Sequence, residues 1–252
     1  MTGSCSTKGT VKQLRLTNKK LPDVPTVNSV VNLTLTKPRS YQTRAKRLKK
    51  LWQGIAALTL LGALLAGFLA WPVSPPNLGA GNRLLTSGLL TSWREGNLVV
   101  LVRHEERCDR SSNTCFGPAD GLTIKGTQQA AETGKSFKVL GMERADVFST
   151  PTTRTAQTSL FMFGKTELSP DPLAICGDAM GEELLSHKQP GRNLVLITHS
   201  GCISDIERAL GYPHAKSTEY GSALFIKVLG NGELKAVGII NSGDWAAALK
   251  QL

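Results

Sequence analysis

Arg103-His104 closes the apolar run NLVVLVR (97–103), Ser149 to Arg154 follows from ADVFST (145–150), and Thr198-His199 ends NLVLIT (193–198). Two histidines and two arginines thus stand at the ends of three apolar segments that are distant in sequence. Phosphoryl transfer without a metal needs such a set. Arginine neutralises phosphate charge and binds its oxygens with a planar fork. One neutral imidazole can attack phosphorus in line, while the other, protonated, holds an equatorial oxygen. A carboxylic acid must then give a proton to the leaving alkoxide. Glu106 lies two residues past His104, and Glu105 would point to the opposite side of an extended chain.

The elements that must position these residues can be read from apolar patterning. An uninterrupted apolar run marks a strand buried on both faces, which 97–103 and 193–198 satisfy and 145–150 satisfies in a shorter form. Helices are expected over Thr123 to Leu140, 152–163, Asp178 to Lys188 and Gly201 to Leu210, with a short one in DWAAALKQL (244–252). SALFIKV and LKAVGII flank Gly230-Asn231-Gly232, a hairpin signal. This alternation predicts an α/β domain, a three-layer sandwich with a mainly parallel central sheet. Sheets of that kind bind ligands beyond the carboxyl ends of their strands, where His104, Arg154 and His199 lie.

VRHEER (102–107), the TRT segment around Arg154 and ITHSG (197–201) resemble the core motifs of the histidine phosphatase superfamily, the phosphoglycerate mutase-like proteins. GLTIKGTQQAAETG (121–134) resembles that family's segment after the first loop, and the resemblance covers roughly residues 97–210. It implies a phosphohistidine at His104, a phosphate pocket of Arg103, Arg154 and His199, and Arg107 as a third phosphate-binding arginine. It implies a carboxyl acid near the nucleophile, for which Glu106 is the first candidate. Asp178 is the second, since members often carry their acid in that stretch. More narrowly, RHEERCDRSSNTC, GLTIKGTQ, Cys176-Gly177 and THSGC resemble the bacterial lipopolysaccharide core heptose(II)-phosphate phosphatases. That implies an exported, metal-independent phosphomonoesterase acting on a phosphorylated envelope sugar, with lipopolysaccharide heptose phosphate as the leading substrate. Glu105 departs from the small residue of that family beside the nucleophile, and Ser200-Gly201 from its bulkier polar pair.

Other readings of the same residues compete. Cys202 to Arg208 has the Cys-x5-Arg spacing of cysteine-based phosphatases, although the intervening ISDIE carries two acids that would repel phosphate. Ser149 and Thr150 can bind phosphate or cap the following helix. His187 and His214 lack a motif and read as surface residues. A catalytically silent, membrane-anchored phosphate sensor or scaffold would share the pocket and bind phosphate without turnover.

Charge and hydropathy set the context. Residues 1–50 hold 12 of the 30 Lys and Arg and a single acid, Asp23, for a net +11, while the other 202 residues carry 18 basic and 18 acidic side chains. A nucleic-acid surface on the main domain therefore loses its support. Ile55 to Val73 is a 19-residue stretch without charge, roughly 28 Å long as a helix and so close to bilayer thickness. Basic residues from Arg44 to Lys50 precede it and Trp52 and Trp71 flank it, which predicts a cytoplasmic N-terminus. The expected organisation is a largely disordered basic tail (1–50), a transmembrane signal anchor (51–73) rather than a cleaved signal peptide, a linker (74–96) and a phosphatase domain (97–252). The domain would then face the bacterial periplasm from the inner membrane. Cys5 would stay reduced inside, while Cys108, Cys115, Cys176 and Cys202 stand on the oxidising side, where three pairings are open. Cys108–Cys115 with Cys176–Cys202 is the expected one. No CxxC occurs and the four His are not spaced as zinc ligands, so neither a metal nor a cofactor is expected.

Overall fold

The structure, a computed structural model, describes residues 39–69, 74–169, 176–177, 179–214 and 216–252. It divides into two compact units that part between residues 65 and 66. Helix α1 (Arg39–Leu69), which runs across that division, holds one stretch, Thr43–Leu69, long and apolar enough to cross a membrane, with its apolar part unburied. The helix begins ahead of the apolar run, so the basic residues 44–50 are helical rather than part of a disordered tail. The rest of that tail, with the β-like stretch VNSVVNLTL, lies outside the described residues.

The second unit is built on five strands: β1 (Leu98–Arg103), β2 (Ala145–Ser149), β3 (Asn193–Thr198), β4 (Ala223–Val228) and β5 (Leu234–Ile240). Their order is β2-β3-β1-β4-β5. β1 and β2 both run parallel to β3, whereas β4 is antiparallel to β1 and to β5, so β4 alone points the other way. The alternation of side chains across a strand assigns the two faces. Leu98, Val100, Val102, Val195, Ile197 and Phe225 pack beneath α4 (Ile124–Leu140) and α5 (Thr153–Phe163). Val99, Leu101, Leu194, Leu196 and Ile226 pack beneath α6 (Met180–His187) and α7 (Ser200–Ala209). Both faces being covered is why β1 and β3 read as unbroken apolar runs. Thr123 caps α4, its Oγ1 accepting from Gly126 N at 2.9 Å. α4 and α5 approach closely at Gly134, where a Cβ would stand 2.0 Å from the Met162 carbonyl oxygen.

Residues 74–96 correct the expected linker. Leu78 N donates to Ile239 O (2.8 Å), and two short helices follow, α2 (Arg83–Thr86) and α3 (Leu89–Arg94). Leu78, Leu84, Leu89 and Trp93 are buried in the core that also holds Phe137 and Trp245, the first residue of α8 (Trp245–Leu249). Trp93 is held at both ends, its Nε1 donating to Gly141 O (2.7 Å) and its carbonyl accepting from Asn193 Nδ2 (2.8 Å). Composition hid this, because Pro, Gly and Ser punctuate apolar positions that are nonetheless spaced to face one core.

Candidate active site

Strand register brings the reactive residues to one edge. Arg103 pairs with Thr198 and Ser149 with Ile197, so His104, Thr150 and His199 leave the sheet side by side. His104 N donates to Thr198 O (2.9 Å) and Thr150 N to Ile197 O (3.0 Å), extending the ladder to the residues themselves. Arg154 arrives from the first turn of α5.

Hydrogen bonding fixes both ring tautomers. His104 Nδ1 faces the Glu105 carbonyl at 2.8 Å, and a carbonyl can only accept, so Nδ1 carries the proton. Nε2 is left as a lone pair, accepting from Arg154 Nε at 3.3 Å. The same guanidinium places Nη2 3.3 Å from His199 Nδ1, which must also accept, so His199 donates from Nε2 to Thr150 Oγ1 (3.2 Å). One arginine therefore spans two neutral imidazoles whose centroids are 5.5 Å apart. Burial first, then the Arg154 charge, the neighbouring His199 ring and the Arg103 charge, push His104 down to about 3 against the carbonyl hydrogen bond. Burial and the charges of Arg154, Arg107 and Arg103 push His199 down to about 4. The second ring, expected protonated, is held neutral by burial first and then by the positive charges of Arg154, Arg107 and Arg103.

The other arginines stand at the margin. Arg103 donates from Nη1 to the Thr218 carbonyl, with its Cζ 4.0 Å from the centre of the Tyr220 ring. Arg107 is paired with Asp109, its Nε and Nη2 each donating at 2.5 Å. Glu106 Oε2 accepts from Thr123 Oγ1 (2.7 Å) and Asn113 Nδ2 (2.9 Å), which ties the first loop to the start of α4. Burial pushes this carboxyl up, but hydrogen bonds from Asn113, Thr123 and Ser111 outweigh it and bring the group below its ordinary value. Asp178 lies outside the described residues. The four cysteines form Cys108–Cys115 and Cys176–Cys202, with Cα atoms 5.1 and 4.6 Å apart. Cys202 is thereby fully buried and oxidised, which removes the thiolate that a Cys-x5-Arg mechanism needs. Among the described residues no group of three or more His, Cys, Asp or Glu is placed to hold a metal ion.

Over 114 residues the chain is 38% identical to the lipopolysaccharide core heptose(II)-phosphate phosphatase of Escherichia coli strain K12 / DH10B, and equally to that of strain E24377A of Escherichia coli O139:H28. It is a relative of these proteins. The match covers 44% of this chain and 56% of the relative, so the chain spans just over half the length of the curated relatives it matches. Among solved structures, phosphoglycerate mutase from Bacillus anthracis str. Sterne is 16% identical, covering 62% of this chain and 99% of its own, with a TM-score of 0.45. The TTHB049 protein of Thermus thermophilus is 22% identical, covering 57% and 99%, with a TM-score of 0.39. No family model matches the chain.

Three further residues shape this edge. Tyr220 stands against both Arg103 and His104, its ring centre 5.7 Å from the imidazole. It lies between α7 and β4 in a segment with no periodicity, and nothing in the sequence marks it. Thr150 is open to a capping role by sequence; the structure sets it on His199. Glu105 is fully buried, and burial raises its carboxyl to about 8, against the Glu106 backbone N–H and the nearby Arg103 charge. Its depth has a partner in Gly221 (φ +68), where any Cβ would stand 2.1 Å from Glu105 Oε1.

Proposed function

We propose that the chain is a metal-independent phosphatase that hydrolyses phosphomonoesters through a phosphohistidine at His104. The observation that carries this reading is the Arg154 guanidinium between His104 Nε2 and His199 Nδ1, both rings neutral and each presenting a lone pair to it. His104 is held for attack: the Glu105 carbonyl retains the proton on Nδ1, so Nε2 forms the bond to phosphorus while the ester P–O bond breaks. The same carbonyl stabilises the cationic ring that results. Arg154, Arg103, Arg107 and His199 bind the phosphoryl oxygens. A phosphate dianion offsets the charges that depress His199 and so raises its pKa, which turns that ring into a donor. The leaving alkoxide takes its proton from a carboxyl group, Glu106 or Asp178, and water then returns His104 and releases inorganic phosphate. Glu106 is ionised without substrate and gains its proton only as the phosphate's negative charge raises its pKa.

The substrate in this reading is a phosphorylated sugar of the bacterial envelope, lipopolysaccharide core heptose phosphate first, because relatives at 38% identity carry that activity in their name. α1 anchors the chain in the inner membrane with its N-terminus inside, and two disulfides suit a periplasmic domain. The test is phosphate release by the full chain in detergent, with EDTA present, from heptose-phosphorylated core oligosaccharide and from 3-phosphoglycerate. Preferential release from the oligosaccharide is expected; preference for the glycerate ester would overturn the substrate assignment.

A further inference from the structure

A polar cavity of about 670 Å³ opens near the carboxyl end of β5. Its walls include Asn77, Arg83, Lys216, Glu219 and Asn241, with Glu207 of α7 and Thr218 deeper. Ile239 and Asn241 lie at the carboxyl end of β5, which runs in the same direction as β1, so the cavity and His104 share the ligand-binding edge. That volume falls within the roughly 300–1,000 Å³ of small-molecule sites.

The chemistry of its lining is specific. Glu207 is 1% exposed and its Oε2 has no hydrogen-bond partner; Thr218 is 7% exposed and its hydroxyl has none either. Two buried polar groups left so cost stability, and a ligand that supplied their partners would recover it. The walls are set in place, since Asn77 and Asn241 both donate to Asp244 Oδ2 (2.7 and 3.1 Å) and Ser222 donates to Asn241 Oδ1 (3.0 Å). Two basic side chains, Arg83 and Lys216, and two acidic ones, Glu207 and Glu219, line it, so the cavity favours neither a strong anion nor a cation. Burial raises Glu207 to about 7, so near neutrality it can both donate to and accept from a hydroxyl. Balanced charge with alternating donors and acceptors matches sugar hydroxyls better than phosphate.

The cavity is also wired to the phosphate site. Thr218 lines it, while the Thr218 carbonyl accepts from Arg103 and Tyr220, two residues on, packs against Arg103 and His104. We infer that this cavity is a glycan subsite that holds unphosphorylated sugar rings of the substrate while the phosphate sits at His104. The inference rests on the sugar-phosphatase reading and deepens it by assigning residues to the sugar.

The test uses the full chain in detergent with phosphate-free core oligosaccharide as the binding probe. Wild type is expected to bind it, and Glu207→Met and Lys216→Ala each to weaken that binding. For Glu207→Met, which keeps the volume and removes the hydrogen-bonding group, loss of one buried hydrogen bond predicts about ten-fold. The KM for phosphorylated oligosaccharide should rise by a similar factor, with kcat/KM for p-nitrophenyl phosphate unchanged, which also shows that the variants are folded. No binding by wild type, or binding unaltered in both variants, would overturn the subsite. Failure of the phosphatase reading shows itself separately, as p-nitrophenyl phosphate turnover that is absent or independent of His104.

Discussion

Arg154 is the residue on which both histidines depend, because it donates to each ring and helps hold each neutral. Arg154→Ala is expected to lower kcat/KM by about 10²–10³, the scale for losing one donor that stabilises developing charge. It should also move the His199 titration up toward its ordinary value, which NMR of the ring protons would show; a His199 titration that does not move would contradict this electrostatic account. Glu105 makes a prediction of opposite sign. Its folded-state pKa is raised to about 8 from 4.5, so the folded protein keeps a proton that the unfolded chain releases. Stability should therefore fall as pH rises from 4.5 through about 8 and then level off. Glu105→Gln removes that dependence and should exceed wild type at pH 9 by about 1–3 kcal/mol, while differing little at pH 4.5. Urea unfolding at the two pH values measures it, and an equal gap at both would contradict the assignment. Neither effect is legible in the sequence: a motif names Arg154 and His199, but the geometry that sets their protonation depends on burial.

Strands β1 and β3 and helices α4, α5 and α7 were legible because burial on both faces leaves unbroken apolar runs, and Thr123 and Gly164 punctuate the helices. The parallel register then put His104, Arg154 and His199 together, as the strand-end rule requires. What failed was the segment before β1, where Pro75, Pro76, Gly79 and Gly88 masked four buried side chains, Leu78, Leu84, Leu89 and Trp93. A chain begun at residue 97 should accordingly lose several kcal/mol relative to one begun at 74, since each such side chain contributes about 1.5–3 kcal/mol on burial. Thermal unfolding of the two would show it, and equal midpoints would restore the linker. The Cys176–Cys202 bridge spans 26 residues and joins the segment before α6 to the first turn of α7, three residues beyond His199. Chain entropy alone assigns it about 3 kcal/mol. Cys176→Ser with Cys202→Ser should lower the unfolding free energy by that order, measured in urea without reductant; an unchanged midpoint would show that the bridge adds nothing.

For the whole molecule, charge separates the parts more sharply than fold does. The +11 of residues 1–50 belongs with a helix able to cross a membrane, and the electroneutral remainder holds the histidines, the cavity and the disulfides. This division was legible because bilayer thickness and positive flanks leave a mark in composition. The glycan cavity left no such mark, since its residues come from 74–83, 207, 216–219 and 239–241 and share no spacing. The proposed chemistry turns on His104. The most direct measurement is phosphate release from p-nitrophenyl phosphate by the full chain in detergent with EDTA present, for wild type and His104→Ala. Turnover that persists in EDTA and disappears in the variant is the predicted result. Turnover that survives His104→Ala would contradict it.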